Sequence, residues 1–189
     1  TMLVQDLACC VVKGKPWLEA WPEKESQAYD TMQAPVLWVD VDNGRDRLST
    51  RFAALGKAHG VPEESPLNYV CFPGPPFEAA KPDSCQRVID KATSIGATLI
   101  VFDNLGTISG GADENSSQMV AVMGGLRRIA EQTGAAVVVI HHKTKGTPTR
   151  KGDALRGHSS IEGAVDLALL IERDGDRDSI TMRSTKSRD

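Results

Sequence analysis

Ala97-Thr-Leu-Ile-Val-Phe-Asp103 is the stretch whose reading decides the fold. Its largely apolar run is too short to make a helix and is rich in β-branched and aromatic residues, the pattern of a strand buried on both faces of a parallel sheet. It ends in Asp103, a carboxylate at the carboxyl edge of the sheet, where open α/β sheets bind ligands. A polar, Gly-rich loop is expected from Asn104 to Asp113, then a helix from about Ser116 to Thr133. Met119, Val122, Met123, Leu126, Ile129 and Ala130 recur there at three-and-four spacing on one face. Asn115 and Gln118 stand where a capping pair would open the helix, and Gly134 where it would stop. A second buried strand, Ala136 to Ile140, delivers His141 and His142. Two parallel strands would thus set a carboxylate beside an imidazole.

Outward from this centre the chain repeats the alternation of strand and helix that builds parallel sheets. Val36 to Val41 reads as a strand leading into Asp42-Asn-Gly44, and an amphipathic helix follows from about Arg45 to His59, closed by Gly60. Asn68 to Phe72 is a short strand, Pro73-Gly-Pro-Pro76 breaks it, and Pro82 to Ile95 is the helix leading back to the central strand. Thr1 to Val12 reads as a mostly buried helix closed by Lys13-Gly14, with no strand before it. Pro16 to Met32 is a polar loop in which Trp17 and Trp21 either anchor the segment or line a base pocket. Between Lys143 and Arg156 five cations (Lys143, Lys145, Arg150, Lys151 and Arg156) face one acid, Asp153. Gly157 to Gly163 turns into a strand from Ala164 to Ile171. A turn at Asp174-Gly-Asp176 pairs that strand with Ser179 to Ser184, and Lys186-Ser-Arg188 follows.

With 189 residues the chain is expected to form a single domain, residues 1–189, with a sizeable core. A formal charge of −3 gives no global mark of nucleic-acid binding. Cys9, Cys10, Cys71 and Cys85 show no paired metal-ligand spacing, so they read as reduced, packed cysteines of an intracellular protein. No signal peptide and no membrane-length apolar run is evident, which points to a soluble, cytoplasmic protein.

The ordered set of apolar strand, Asp103, Gly-rich loop, helix, apolar strand and His141-His-Lys-x-Lys-Gly146 resembles the Walker B and sensor strands of RecA-like P-loop ATPases. Within them it resembles the RepA-type replicative helicases and their AAA-like relatives. The resemblance runs from Thr1 to Arg188. It implies an α/β core, a mostly parallel sheet flanked by helices, whose first strand and phosphate loop are missing from this chain. Thr1 would be the last residue of a GxxxxGK motif ending in Ser or Thr. The chain then begins inside that motif, unless the protein never carried the loop.

The same resemblance implies ATP and Mg²⁺ as bound species, with Thr1 at the nucleotide and both Thr1 and Asp103 toward the metal. Asp42 would orient and deprotonate the attacking water, although the family uses Glu there, and Asp40 competes for the role. His142 would feel the γ-phosphate as the sensor. Lys186 and Arg188 would reach a neighbouring subunit's nucleotide. Lys143, Lys145, Arg150, Lys151 and Arg156 would contact single-stranded DNA phosphates, or else form only a solvated loop. The expected assembly is a homo-oligomer, a hexamer around DNA, away from membranes. The alternative is a nucleic-acid-binding or oligomerisation module with the same fold that does not hydrolyse ATP. A Rossmann dehydrogenase fits poorly, since no GxGxxG follows a strand.

Overall fold

The structure is a computed structural model describing residues 1–18, 28–113, 116–142, 159–173, 175 and 179–188. Four apolar runs become strands β1 (Val36–Asp40), β2 (Leu67–Cys71), β3 (Leu99–Asp103) and β4 (Ala136–Ile140). They form one parallel sheet in the order β2-β1-β3-β4. Register sets Asp40 beside Asp103, and Asp103 beside Ile140, so three strands end level at one edge. Helices α1 (Met2–Lys13) and α2 (Arg45–His59) pack together, as do α3 (Pro82–Ile95) and α5 (Gln118–Thr133).

Alternation along the strands sorts the core into two layers. Leu37, Val39, Ile100 and Phe102 join the residues of α3 and α5. Val36, Trp38, Leu99 and Val101 join those of α1 and α2. Each strand residue therefore buries its side chain against one helix pair or the other, which is why β1 and β3 are buried at every position. Phe77 stacks on Phe102 at 4.8 Å on one side, and Trp38 meets Phe52 edge-on at 5.3 Å on the other.

Several expected boundaries hold, and others shift for local reasons. Helices α2 and α3 span the expected residues, and Gly14, Gly60, Gly96 and Gly134 end α1, α2, α3 and α5 in the left-handed conformation. The loop after β3 is not wholly irregular: one helical turn, α4 (Leu105–Ile108), forms because Asn104 Oδ1 accepts from the Thr107 N–H. At the start of α5 one member of the expected capping pair, Gln118, is engaged through its backbone. Ser116 Oγ accepts from the Gln118 N–H at 3.2 Å, while Asn115 lies outside the described residues. β4 was expected to be buried on both faces; it is half-exposed, because it ends the order of the sheet.

Toward the carboxyl end, Ser159–Ala164 forms a short helix, α6, rather than a turn, and packs on α5 through Ile161. β5 (Leu167–Arg173) and β6 (Ile180–Ser187) then pair as an antiparallel hairpin, a separate two-stranded sheet. Trp17 is buried and bridges to Tyr29, which makes it an anchor; Trp21 falls outside the described residues. Among the described residues no helix is long and apolar enough to cross a membrane.

Candidate active site

The carboxyl edge of the sheet carries the chemistry. Asp103 ends β3 fully buried, and its peptide bond to Asn104 is cis. Asp103 Oδ2 accepts from Asn43 Nδ2 at 2.9 Å, while Oδ1 is buried with no hydrogen-bond partner. A buried acceptor left open in this way is the place for a ligand atom or an ion. Burial pushes the Asp103 pKa up, and the neighbouring Asp40 and Asp42 carboxylates push the same way. The Thr1 side chain opposes them by favouring the charged form. Thr1 thus lies beside the Asp103 carboxylate, although Oδ1 itself has no hydrogen-bond partner.

Asp40 and Asp42 were both candidates for the base, and the geometry separates them. Asp40 is fully buried. Its Oδ1 accepts from the backbone N–H groups of Asp42 and Asn43 at 3.0 and 2.7 Å, and its Oδ2 from Asn43 Nδ2 at 3.1 Å. Both oxygens are engaged in winding the turn after β1. Asp42 is exposed. One carboxylate oxygen of Asp42, one of Asp103 and one ring nitrogen of the exposed His142 lie within 4.8 Å of one another. Carboxylates from two strand ends and an imidazole from a third thus converge on one point.

The donors fit a hard cation better than a soft one. Mg²⁺ takes oxygen ligands and is held by one or two carboxylates together with water and phosphate oxygens. The open Asp103 oxygen, the Thr1 hydroxyl and the Asp42 carboxylate supply that chemistry, whereas the His142 nitrogen suits a phosphate hydrogen bond.

Sequence reading passed over Asn43. Read only as part of an Asn-Gly turn, it in fact bridges the two buried carboxylates through Nδ2 and accepts from Arg51 at 3.3 Å through Oδ1. An amide one residue past a strand-end acid pair is the only signal the sequence offered.

Lys186 and Arg188 lie elsewhere. Lys186 Nζ donates to the Glu162 carbonyl. Arg188 forms an ion pair with Asp166 at 3.0 Å and donates to the Gly163 carbonyl at 2.5 Å. Both cations thus fasten β6 to the end of α6 and the residues just after it. Lys143, Lys145, Arg150, Lys151 and Arg156, expected at DNA, lie outside the described residues. A family model described as an AAA domain matches residues 1–148. No curated protein matches the chain.

Proposed function

Because the chain belongs to the AAA domain family of ATPase modules, we propose that it hydrolyses ATP as the DNA-dependent core of a hexameric, RepA-type replicative helicase. The observation that carries this reading is the buried Asp103 oxygen left unpartnered beside the exposed Asp42 and His142.

In this mechanism Thr1 and Asp103 would hold Mg²⁺, which would supply charge neutralisation to the phosphate oxygens. Asp42 accepts a proton from the attacking water, the water oxygen bonds to the γ-phosphorus, and the bond to the ADP oxygen breaks. His142 donates a hydrogen bond to the γ-phosphate and so reports its loss. Asn43 holds Asp103 in place and does not touch the nucleotide. Lys143, Lys145, Arg150, Lys151 and Arg156 neutralise single-stranded DNA phosphates, and Lys186 and Arg188 act on the adjacent subunit's nucleotide. That last role requires the two cations to leave the bonds they make within their own chain. Those bonds are also what favours the second reading, a non-hydrolysing oligomerisation or DNA-binding module.

Mg²⁺-dependent ATP turnover of the assembled protein, with and without single-stranded DNA, decides between the two. Asp103→Asn is expected to abolish turnover. Asp42→Asn is expected to lower it on the order of 10²–10⁴-fold while nucleotide still binds. Arg188→Ala subunits mixed with Asp103→Asn subunits should regain activity, since some interfaces then combine an intact Asp103 with an intact Arg188. Wild-type turnover in Asp42→Asn would move the base elsewhere, and absence of turnover in the unaltered protein would favour the module.

A further inference from the structure

On the far face of the molecule's α1–α2 pair, three side chains of different donor chemistry meet. Asp6 and Cys10 are four residues apart on α1 and so share one face of that helix. His59 stands in the last turn of α2, which packs on α1. Its Nε2 lies 2.6 Å from Asp6 Oδ1 and its Nδ1 lies 3.9 Å from Cys10 Sγ. One ligand atom from each of the three residues lies within 4.8 Å of the other two. Cys10 is buried, whereas the His59 and Asp6 side chains are 22% and 29% exposed, so the cluster opens to solvent on its polar side.

We propose that Asp6, Cys10 and His59 form a binding site for a borderline-soft divalent cation of the Zn²⁺ class, with water as the fourth ligand. The donor set selects the ion. A thiolate and an imidazole suit Zn²⁺ and exclude Mg²⁺, which demands oxygen. Three protein ligands and a water in the fourth position form a known zinc arrangement, that of sites left open to solvent. Tetrahedral zinc with bonds of about 2.0 Å to N and O and about 2.3 Å to S sets its ligand atoms about 3.3–3.5 Å apart. At present the imidazole spans the other two, with Nε2 on Asp6 and Nδ1 on Cys10, so binding requires His59 to turn one nitrogen to the ion and give up the contact made by the other. An ion there ties α1 to the end of α2, and α1 is the helix that follows Thr1. The site does not depend on the nucleotide reading, because none of its ligands belongs to the Asp103 cluster.

Titration with Co²⁺, a spectroscopic stand-in for Zn²⁺, tests the assignment through the thiolate-to-cobalt absorption in the near ultraviolet. The protein is expected to develop this band to one equivalent and to lose it on adding Zn²⁺. Cys10→Ser should abolish the band, and Cys71→Ser should leave it intact. Asp6→Asn and His59→Gln, with circular dichroism confirming the fold, should each weaken Co²⁺ binding at least about 10-fold. Asp103→Asn should leave the titration unchanged, since the nucleotide site offers no sulfur. Absence of a thiolate band at saturating Co²⁺, or a band that survives Cys10→Ser, overturns the proposal. Unchanged affinity in folded Asp6→Asn and His59→Gln overturns it as well, whether or not Cys10→Ser folds.

Discussion

The parallel sheet and the β5–β6 hairpin draw on similar aliphatic residues and end in opposite surroundings. β1 and β3 are buried at every position because helices cover both faces. β5 alternates between exposed and half-buried, and Leu167, Leu169 and Ile171 stand out on one side. The charged groups that each carries differ accordingly. Asp40 and Asp103 sit at strand ends fixed by pairing and packing, which suits groups that must hold position for chemistry. Lys186 and Arg188 sit on a sheet with one open side and are held by local polar bonds. The ion pair of Arg188 is largely exposed, a kind that contributes little to stability.

The sharpest way to break this comparison is to truncate one apolar side chain in each region to Ala. Phe102→Ala, deep in the sheet, is expected to cost about 3–5 kcal/mol in chemical denaturation. Leu169→Ala on the hairpin should stay within about 0.5 kcal/mol. Equal losses would mean that the hairpin face is covered in the folded protein.

A smaller effect probes how closely α5 is seated against the segment beneath it. A Cβ built at Gly125 would stand 1.8 Å from the Ala79 carbonyl oxygen, which already accepts from the Cys85 thiol. At Gly124 a Cβ meets nothing within 4 Å. Gly125→Ala should therefore destabilise by about 1–3 kcal/mol, whereas Gly124→Ala should be neutral or gain up to about 1 kcal/mol from helix propensity. A tolerated Gly125→Ala would show that α5 can slide.

The smallest expected effect concerns the buried charge. Burial raises the Asp103 pKa, so the folded state holds that proton more tightly than the unfolded chain. Stability therefore falls as pH rises from the ordinary carboxyl range through the raised value. Asp103→Asn should raise the melting temperature of the nucleotide-free protein by a few degrees at neutral pH. The gain should vanish on acidification below the ordinary carboxyl range. A gain that does not depend on pH would assign it to something other than the charge.

What the sequence made legible follows from what sequence encodes locally. The strands read from 36 to 41 and from 97 to the terminal Asp103 announce themselves as continuous apolar runs, and the helices over 45–59 and 82–95 by their flanking glycines and prolines. Asp42, Asp103 and His142 could be brought together in advance because each ends or follows a parallel strand, and neighbouring strands end level. Asp40 and Asn43 were harder, since which acid is committed to the turn depends on backbone N–H directions that composition does not carry. The contact between Cys10 and His59 could not be read from spacing, because the two are 49 residues apart and meet only through the packing of α1 on α2. Helix α6 was missed because its six residues are too few for a period to show.

The position of β4 has a consequence for how the molecule behaves among copies of itself. Among the described residues its outer side has no strand partner, and Ala136-Val-Val-Val-Ile140 contains neither a charge nor a proline. An edge of this composition is a template for strand addition, the step from which self-association and fibrillar aggregation grow. The restraint comes from its flanks. Glu131 precedes the strand in α5, and the polar His141 and His142 follow it. In colloidal terms this short uncharged border is a weak point of the parallel sheet.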